Sequence, residues 1–424
     1  MDKNLAIYIH YPFCKSKCPY CDFNSHVNDN IDQQKFADCY ITELEYFKEL
    51  IGKRNITSIF FGGGTPSLMP INTVDKILKK ISTLWNLSSD IEITLEANPT
   101  SSESQKFKDL KNIGINRLSI GIQALNDQDL KFLGRQHSKN EAYSTIDIAQ
   151  KYFDNFSFDL IYARPNQTPE SWKSELKTAL KIGSPHLSLY QLTIEKGTKF
   201  FNSYRNKEFT LPNTDTQNKL YDITHDTCLE YGLENYEISN YCKNNYHSHH
   251  NLTYWNYRDY LGIGAGSHSR ITLPIQTPPT KIDGLIESNK TKKSGGMSRL
   301  TENKYSIYQK MNYHMPQKWV TSIEKNKNAI QTSTPLTNEE IFTEIILMGL
   351  RTKFGVNLDR LFHYIENSAQ NDNTNQLTKN KIKFLDKLDT LSKEKLIYQN
   401  NNHIYTTYKG SKLLNSVCSY LLAS

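Results

Sequence analysis

The stretch IYIHYPFCKSKCPYCDF, residues 7–23, joins a β-rich run to three closely spaced cysteines. Cys14, Cys18 and Cys21 fall within eight residues, whereas the other four cysteines of the chain stand alone. In a chain without a secretion signal, such clustering is typical of metal binding rather than of disulfides. A structural zinc site usually takes four ligands in two separated pairs. Three thiolates on one loop suit an iron–sulfur cubane in which one iron stays open for a small-molecule ligand.

Two histidines, His10 and His26, flank these cysteines. Either imidazole could complete a four-ligand zinc site with the three thiolates, so zinc is the alternative to a cluster. The glycine run and the polar residues at the ends of the other predicted strands, described below, favour the iron–sulfur cluster over zinc.

Outward from this loop, short β-rich runs alternate with helical patterns. The predicted strands are 5–10, 57–61, 91–96, 118–122, 157–161 and 187–192. Apolar strands separated by helices predict a parallel sheet with right-handed crossovers. We therefore predict an α/β chain whose residues 1–195 form a partial (β/α)6 barrel. An open doubly wound sheet shares this periodicity and is the alternative.

The rest of the chain is predicted to extend the barrel and to add a smaller domain. Residues 196–300 form the predicted extension, and the Pro-, Thr- and Lys-rich part of it at 276–300 is a predicted loop. Residues 301–424 are the predicted C-terminal α+β domain, in which Thr337 begins a capping-box helix. A polar linker is predicted at 367–377. The helix, hairpin and helix that follow resemble a winged helix.

Composition excludes several classes of protein. Hydrophobic residues make up 37% and charged residues 22%, which is typical of a packed globular chain. No apolar run approaches the roughly 20 residues that cross a bilayer. The N-terminus MDKNLAIYIHYPFC lacks the features of a signal peptide, so we expect a cytoplasmic protein. The net charge of +7 comes from scattered lysines, and we expect no DNA binding.

Chemistry-bearing residues recur where the predicted strands end. A glycine run at 62–64 follows the second strand, Glu96 ends the third, Gln123 follows the fourth, and Asp159 lies in the fifth. The carboxyl ends of parallel strands share one edge of a sheet, so these residues should line one ligand pocket. Alone, a glycine run is usually a turn. Asp159 lies in an apolar strand, where an unpaired charge is costly, so it should have a specific partner.

Together these motifs resemble the radical S-adenosylmethionine (SAM) superfamily. The resemblance rests on the CxxxCxxC spacing, with Tyr20 before the last cysteine, and on the glycine motif. It implies a [4Fe-4S] cluster on the three cysteines, whose open iron is chelated by the amino and carboxylate groups of SAM. It further implies cofactor-binding roles for Tyr8, Gly63, Gly64, Thr65, Glu96, Gln123, Arg135 and Asp159. For Arg135, a solvated helix arginine is the alternative.

A closer resemblance, over essentially the whole chain, is to the coproporphyrinogen dehydrogenase branch and its HemW relatives. It is carried by FFGGGTPS, EANP, RLSIGIQALN, LGRQH, FDLIY, HNLTYW and YLGIGAGSHS. Two features favour HemW over the oxygen-independent dehydrogenase. The dehydrogenase has a longer N-terminal extension and a further cysteine where this chain has Phe23, and residues 250–255 (HNLTYW) match the HNxxYW signature associated with heme binding.

The HemW resemblance implies a heme chaperone that binds heme, the cluster and SAM and transfers heme to an acceptor protein. Membrane proteins that receive heme are candidate acceptors. His250 is the expected axial ligand of the heme iron, and His247 or His249 could replace it. The alternatives are a radical SAM coproporphyrinogen III dehydrogenase and a radical enzyme that modifies nucleic acid.

One segment departs from the family pattern. Residues 162–166 read Tyr-Ala-Arg-Pro-Asn, where relatives usually have a Gly-Leu-Pro turn after the strand. We expect an altered turn near the cofactor and assign no function to Arg164.

Overall fold

The computed structural model describes residues 3–28, 30–275, 305–368 and 374–423 of the 424-residue chain. The loop predicted at 276–300 lies outside the described residues, as do the predicted boundary at 300/301 and residues 369–373 of the predicted linker.

The strands, in chain order, are β1 (Asn4–Tyr11), β2 (Phe13–Cys14), β3 (His26–Val27), β4 (Asn55–Gly63), β5 (Asn86–Ala97), β6 (Arg117–Gln123), β7 (Asn155–Tyr162), β8 (His186–Gln191), β9 (Glu234–Glu237), β10 (Asn240–Cys242), β11 (Tyr260–Ile263), β12 (His268–Pro274), β13 (Tyr305–Asn312), β14 (Ile330–Pro335), β15 (Val356–Asn357), β16 (Ile397–Asn400) and β17 (His403–Thr406).

The helices are α1 (Gln33–Ile51), α2 (Ile71–Leu84), α3 (Ser101–Ser104), α4 (Phe107–Asn112), α5 (Asp127–Phe132), α6 (Lys139–Tyr152), α7 (Pro169–Lys181), α8 (Lys199–Arg205), α9 (Thr214–Glu230), α10 (His249–Trp255), α11 (Pro316–Asn326), α12 (Asn338–Gly349), α13 (Leu358–Ser368), α14 (Thr374–Lys393), α15 (Tyr408–Lys412) and α16 (Leu414–Leu422), with a 3-10 turn at Pro66–Leu68.

Most strands form one sheet, in the order β14-β13-β12-β11-β1-β4-β5-β6-β7-β8-β10-β9. The strands β1, β4, β5, β6, β7 and β8 run parallel and are joined through helices, which confirms the predicted α/β partial barrel. Antiparallel strands extend the sheet beyond β8 and beyond β11. The strands β9, β10, β11 and β12 thus belong to the same sheet as the parallel strands.

One face of the parallel strands packs against a helix layer. Leu5, Ile7 and Ile9 of β1 are fully buried on that face, and Leu44 and Phe47 of α1 pack in the same core. Burying each such side chain contributes about 1.5–3 kcal/mol. The helix begins where the Asp32 side chain accepts a hydrogen bond from the Lys35 backbone N–H at 3.0 Å. This core includes buried side chains from all six parallel strands.

The opposite face of the same strands is polar. Because side chains alternate across a strand, Glu96, Ser119, Gln123 and Asp159 all line one cavity on this face. The sheet therefore separates an apolar helix-covered side from a polar interior.

The C-terminal residues build a second core. It includes Leu336, Leu388 and Ile404 and is covered by α12, α13, α14 and α16, with the small sheet β15-β17-β16. This order of helix, strand, two helices and hairpin agrees with the winged-helix-like prediction. Arg360 attaches the second core to the barrel by donating to the carbonyls of Asn256 and Tyr257, at 2.7 and 2.5 Å.

Among the described helices, none combines the length and the apolar character that spanning a membrane requires.

Candidate functional site

A cavity of about 430 Å³ opens at the carboxyl ends of the parallel strands. Nearly all of the residues predicted from the sequence line it: Cys14, Cys18, Cys21, Gly63, Gly64, Thr65, Glu96, Gln123, Arg135 and Asp159. Tyr8 lies beneath the floor, where a Cβ added to Gly62 would be 2.8 Å from the Tyr8 ring and 3.2 Å from Glu96. His250 does not line this cavity.

The three cysteines project half-buried thiols into the cavity. Thr65 Oγ1 donates to Cys14 Sγ at 3.4 Å, and Arg135 Nη1 donates to Cys18 Sγ at 3.3 Å. Burial raises the pKa of the Cys14 thiol, and the Thr65 hydrogen bond acts in the opposite direction. Hydrogen-bond donors and a positive charge beside the sulfurs stabilise thiolates, the form that binds metal.

The geometry does not support the zinc alternative. The two ring nitrogens of His10 are engaged, Nδ1 with the Tyr8 hydroxyl at 3.0 Å and Nε2 with the Asn24 carbonyl at 2.9 Å. His26 Nε2 contacts Asn24 Oδ1 at 3.1 Å. Within the described ranges no group of three Cys, His, Asp or Glu side chains converges on a single ion. A cubane needs no such convergence, because each thiolate binds a different iron.

The glycine loop, residues 62–64, packs closely against His10 and Phe13. Gly63 has a φ of 114°, and a Cβ there would lie 2.6 Å from the His10 ring. A Cβ on Gly64 would lie 2.6 Å from the Phe13 carbonyl oxygen. Packing on the cysteine-loop side therefore requires glycine at both positions. The Gly63 backbone N–H donates to Glu96 at 3.1 Å.

Two buried carboxyl groups line the interior. Burial raises the pKa of Glu96 to about 8, and the nearby Asp159 charge adds to the effect. Burial raises the pKa of Asp159 to about 6, against the opposing Ser188 hydrogen bond. Within the described residues Asp159 Oδ1 has no hydrogen-bond partner, so the specific partner expected for Asp159 is present only in part. A buried acceptor without a donor is costly, and a ligand hydroxyl would satisfy it.

Arg135 is not a solvated helix arginine. Its Nη2 donates to Asn98 Oδ1 at 2.5 Å and to the Gly121 carbonyl at 2.7 Å. Asn98 in turn donates to Thr65 Oγ1 at 3.0 Å. Asn98 is a site residue that the sequence analysis missed, although its position just after the third predicted parallel strand gave a signal.

Gln123 takes a left-handed backbone conformation, with a φ of 73°. Such a conformation costs a non-glycine residue about 1–3 kcal/mol, and it turns the chain at the point where β6 reaches the cavity.

His250 lies in α10, in a buried network separate from the cavity. Its side chain is 1% exposed, with Nδ1 2.9 Å from Ser58 Oγ and Nε2 2.6 Å from the Tyr254 hydroxyl. Its backbone N–H donates to Glu92 at 3.0 Å. Both ring nitrogens are engaged, so neither is offered to a heme iron in this structure. Burial lowers the pKa of His250 to about 3.

The neighbouring histidines differ from His250. The His247 ring is half-buried against Tyr236, with ring centroids 4.7 Å apart. His249 is exposed and borders a separate cavity of about 250 Å³. Heme ligation from this segment stays a prediction.

The atypical segment at 162–166 has a structural explanation. Ala163 has a φ of 58°, in the left-handed region that favours glycine. Next to it, the buried Arg164 guanidinium pairs with Glu175 and, at 3.0 Å, with Asp129. This ion cluster ties the turn after β7 to α5 and α7, and Arg164 does not line the cofactor cavity.

Comparison with known proteins places this geometry in a family. The Radical SAM superfamily matches residues 8–179. "Radical S-adenosyl methionine domain-containing protein 1, mitochondrial" from Dictyostelium discoideum is 34% identical over 99% of this chain and 95% of its own length. "Heme chaperone HemW" is 41% identical in Haemophilus influenzae and 37% in Escherichia coli, in each case over 64% of this chain and 71% of the relative.

Among solved structures, coproporphyrinogen III oxidase (HemN) from Escherichia coli, described as a radical SAM enzyme, aligns with a TM-score of 0.75. The alignment covers 100% of this chain and 91% of that one at 18% identity, so it supports the fold alone. The relatives at 37–41% identity, together with the cysteine loop and its cavity, decide the family. The chain belongs to the HemW family of the radical SAM superfamily.

Proposed function

We propose that this protein is a heme chaperone that holds a [4Fe-4S] cluster and SAM, binds heme and transfers it to an acceptor protein. The observation that carries the cofactor part of the proposal is the convergence of Cys14, Cys18 and Cys21 with the strand-end residues in one cavity, and the heme part rests on the relatives named heme chaperones.

The residues of the cavity fit a cluster. Three thiolates would hold three irons of a cubane, and the Thr65 and Arg135 donors to sulfur would stabilise the bound thiolates. The Arg135 guanidinium would also offset part of the negative charge that a thiolate-bound cluster brings into a half-buried site.

The interior of the same cavity fits SAM. The glycine loop brings backbone close to the cysteine loop, and the acceptors Glu96 and Asp159 suit ribose hydroxyls. Bound beside a reduced cluster, SAM would supply one-electron chemistry at its sulfonium bond. The chain's own contribution is to orient the ligand and to limit its exposure to water.

Heme handling is supported by the relatives named heme chaperones. The dehydrogenase alternative has the fold likeness to HemN behind it, but Phe23 stands where that enzyme is expected to carry a further cysteine. Membrane proteins as acceptors remain a prediction.

One paired assay tests the proposal. Anaerobically reconstituted protein is titrated with heme and, separately, incubated with coproporphyrinogen III, SAM and a reductant. We expect stoichiometric heme binding and no protoporphyrinogen IX. A Cys14→Ala, Cys18→Ala, Cys21→Ala variant is the control that lacks the cluster ligands. Formation of protoporphyrinogen IX that depends on these cysteines would establish the dehydrogenase instead, and absence of heme binding would refute the chaperone.

A further inference from the structure

Three histidines from separate parts of the chain meet beside the cysteine loop. His26 lies just after that loop, His268 begins β12, and His314 follows β13. The ring centroids of His268 and His314 are 6.3 Å apart, with an interplanar angle of 68°. Both residues are exposed, and among the described contacts no hydrogen bond engages either ring. Both rings thus differ from that of His250, whose two nitrogens are engaged in hydrogen bonds.

Asn24 holds these segments together. Its Nδ2 donates to the Ala265 carbonyl and to the His314 carbonyl, each at 3.0 Å, and its Oδ1 contacts His26 Nε2 at 3.1 Å. A Cβ on Gly266 would lie 2.2 Å from Asn24 Nδ2, so the approach of these segments requires glycine there. The Asn24 side chain therefore links the segment after the cysteine loop to the backbone at Ala265 and His314.

Large apolar side chains are exposed in the segments that carry His26 and His314. Phe23, Val27 and Met315 are 58%, 54% and 51% exposed. Val27 and Met315 directly follow His26 and His314 in sequence, and Phe23 also borders the cofactor cavity. Exposed aromatic and thioether groups in the same segments as exposed imidazoles are suitable for contact with an apolar ligand. We call His26, His268, His314, Phe23, Val27 and Met315 the histidine patch.

We propose that the histidine patch binds heme, with the imidazole of His268 or His314 as an axial ligand. The inference rests on the proposed function and adds the position of the heme. Heme iron receives four nitrogens from the porphyrin and needs only one or two ligands from protein. The lack of a three-residue ion site in the described ranges is therefore compatible with it. The apolar side chains would cover the macrocycle.

Charge supports this occupant. Lys17 Nζ donates to the carbonyls of Phe23 and Ser25, at 3.2 and 3.5 Å, so its ammonium group lies at the border between the patch and the cofactor cavity. An ammonium group at that edge is suitable for a propionate carboxylate of the heme. Heme in this position would lie beside the cysteine loop and its cofactor.

The test compares heme binding by the full-length, cluster-loaded protein and its His268→Ala, His314→Ala double variant. Anaerobic titrations are followed by the Soret band after subtraction of the cluster absorbance, and axial ligation is read by resonance Raman spectroscopy. We expect heme affinity to fall at least about tenfold, or the axial-ligand signature to be lost, while iron and sulfide of the cluster stay unchanged. The matched control is His403→Ala, which removes a partly exposed imidazole of the C-terminal hairpin.

Two single variants keep the test decisive if the double variant folds poorly. His314→Met and His268→Met, made singly, retain an iron ligand of a different kind. At least one should shift the Soret band without loss of cluster. Wild-type affinity and spectra in the double variant and in both Met variants would overturn the histidine patch and leave the chaperone proposal standing. Absence of heme binding by the wild-type protein would instead refute the proposed function.

Discussion

Replacing Arg164 by Leu should lower the free energy of unfolding by about 3 kcal/mol. The Arg164 side chain is 2% exposed, and its guanidinium donates to both carboxylate oxygens of Glu175 and lies 3.0 Å from Asp129. Removing one partner of a buried pair costs about 3–5 kcal/mol, since the other charge is left buried without compensation. Asp129 is 28% exposed and water can solvate part of its charge, so the lower end of the range applies.

Equilibrium urea unfolding of the cluster-loaded protein under anaerobic conditions measures this loss. Glu175 also accepts from the Leu125 backbone N–H at 2.7 Å. Because the amide oxygen of a glutamine can still accept this bond, Glu175→Gln should destabilise less than Arg164→Leu. The double variant should show a coupling energy of about 1–3 kcal/mol. Lys177→Leu is the control on the same helix, because its pair with Glu230 at 3.9 Å is largely exposed and should matter little. An Arg164→Leu variant within about 0.5 kcal/mol of wild type would refute the reasoning.

Three further outcomes are expected. Cys18→Ala should abolish cluster iron and labile sulfide, whereas Cys39→Ala, a change in the helix core, should retain both; stoichiometric zinc without sulfide would contradict this. Gly63→Val should weaken the response of the reduced cluster's electron paramagnetic resonance spectrum to SAM, because its side chain would collide with a histidine ring, and an unaltered response would count against it. Glu43→Gln should cost about 1–3 kcal/mol in urea unfolding, since this buried carboxyl group accepts from three N–H donors; a loss no larger than that of the exposed Glu45→Gln would exclude this role.

The parts of the fold that were predictable are those with local signals. The six parallel strands were found because apolar runs of β-rich composition alternate with helical patterns, and the cavity residues were found because they end those strands. The strand at 305–312 was missed because most of its positions are only partly buried, so no strong alternation marks it. The strand at 330–335 is almost wholly exposed and reads as a polar segment.

Other features depend on contacts between distant residues. The HNLTYW motif indicated His250 as a candidate ligand. Only the structure shows that one of its ring nitrogens is engaged by Ser58, which lies 192 positions earlier in the chain. Asn98 carries no charge and lies between alanine and proline, so its bonds to Arg135 and Thr65 could not be read from composition. The meeting of His268 with His314 likewise requires the pairing of β12 with β13.

The position of β1 has a consequence for the order of events at the ribosome. This strand is made before the other described strands, yet it lies inside the sheet between β4 and β11, with Ala6 opposite Tyr260. The edge of β1 that pairs with β11 therefore stays unpaired until more than half of the chain has been synthesised. The cysteine loop that follows it gains its contact with Ala265, through Asn24, only later still. Cluster insertion into a fully supported loop is thus expected as a late step, after translation has passed the strands that complete the sheet.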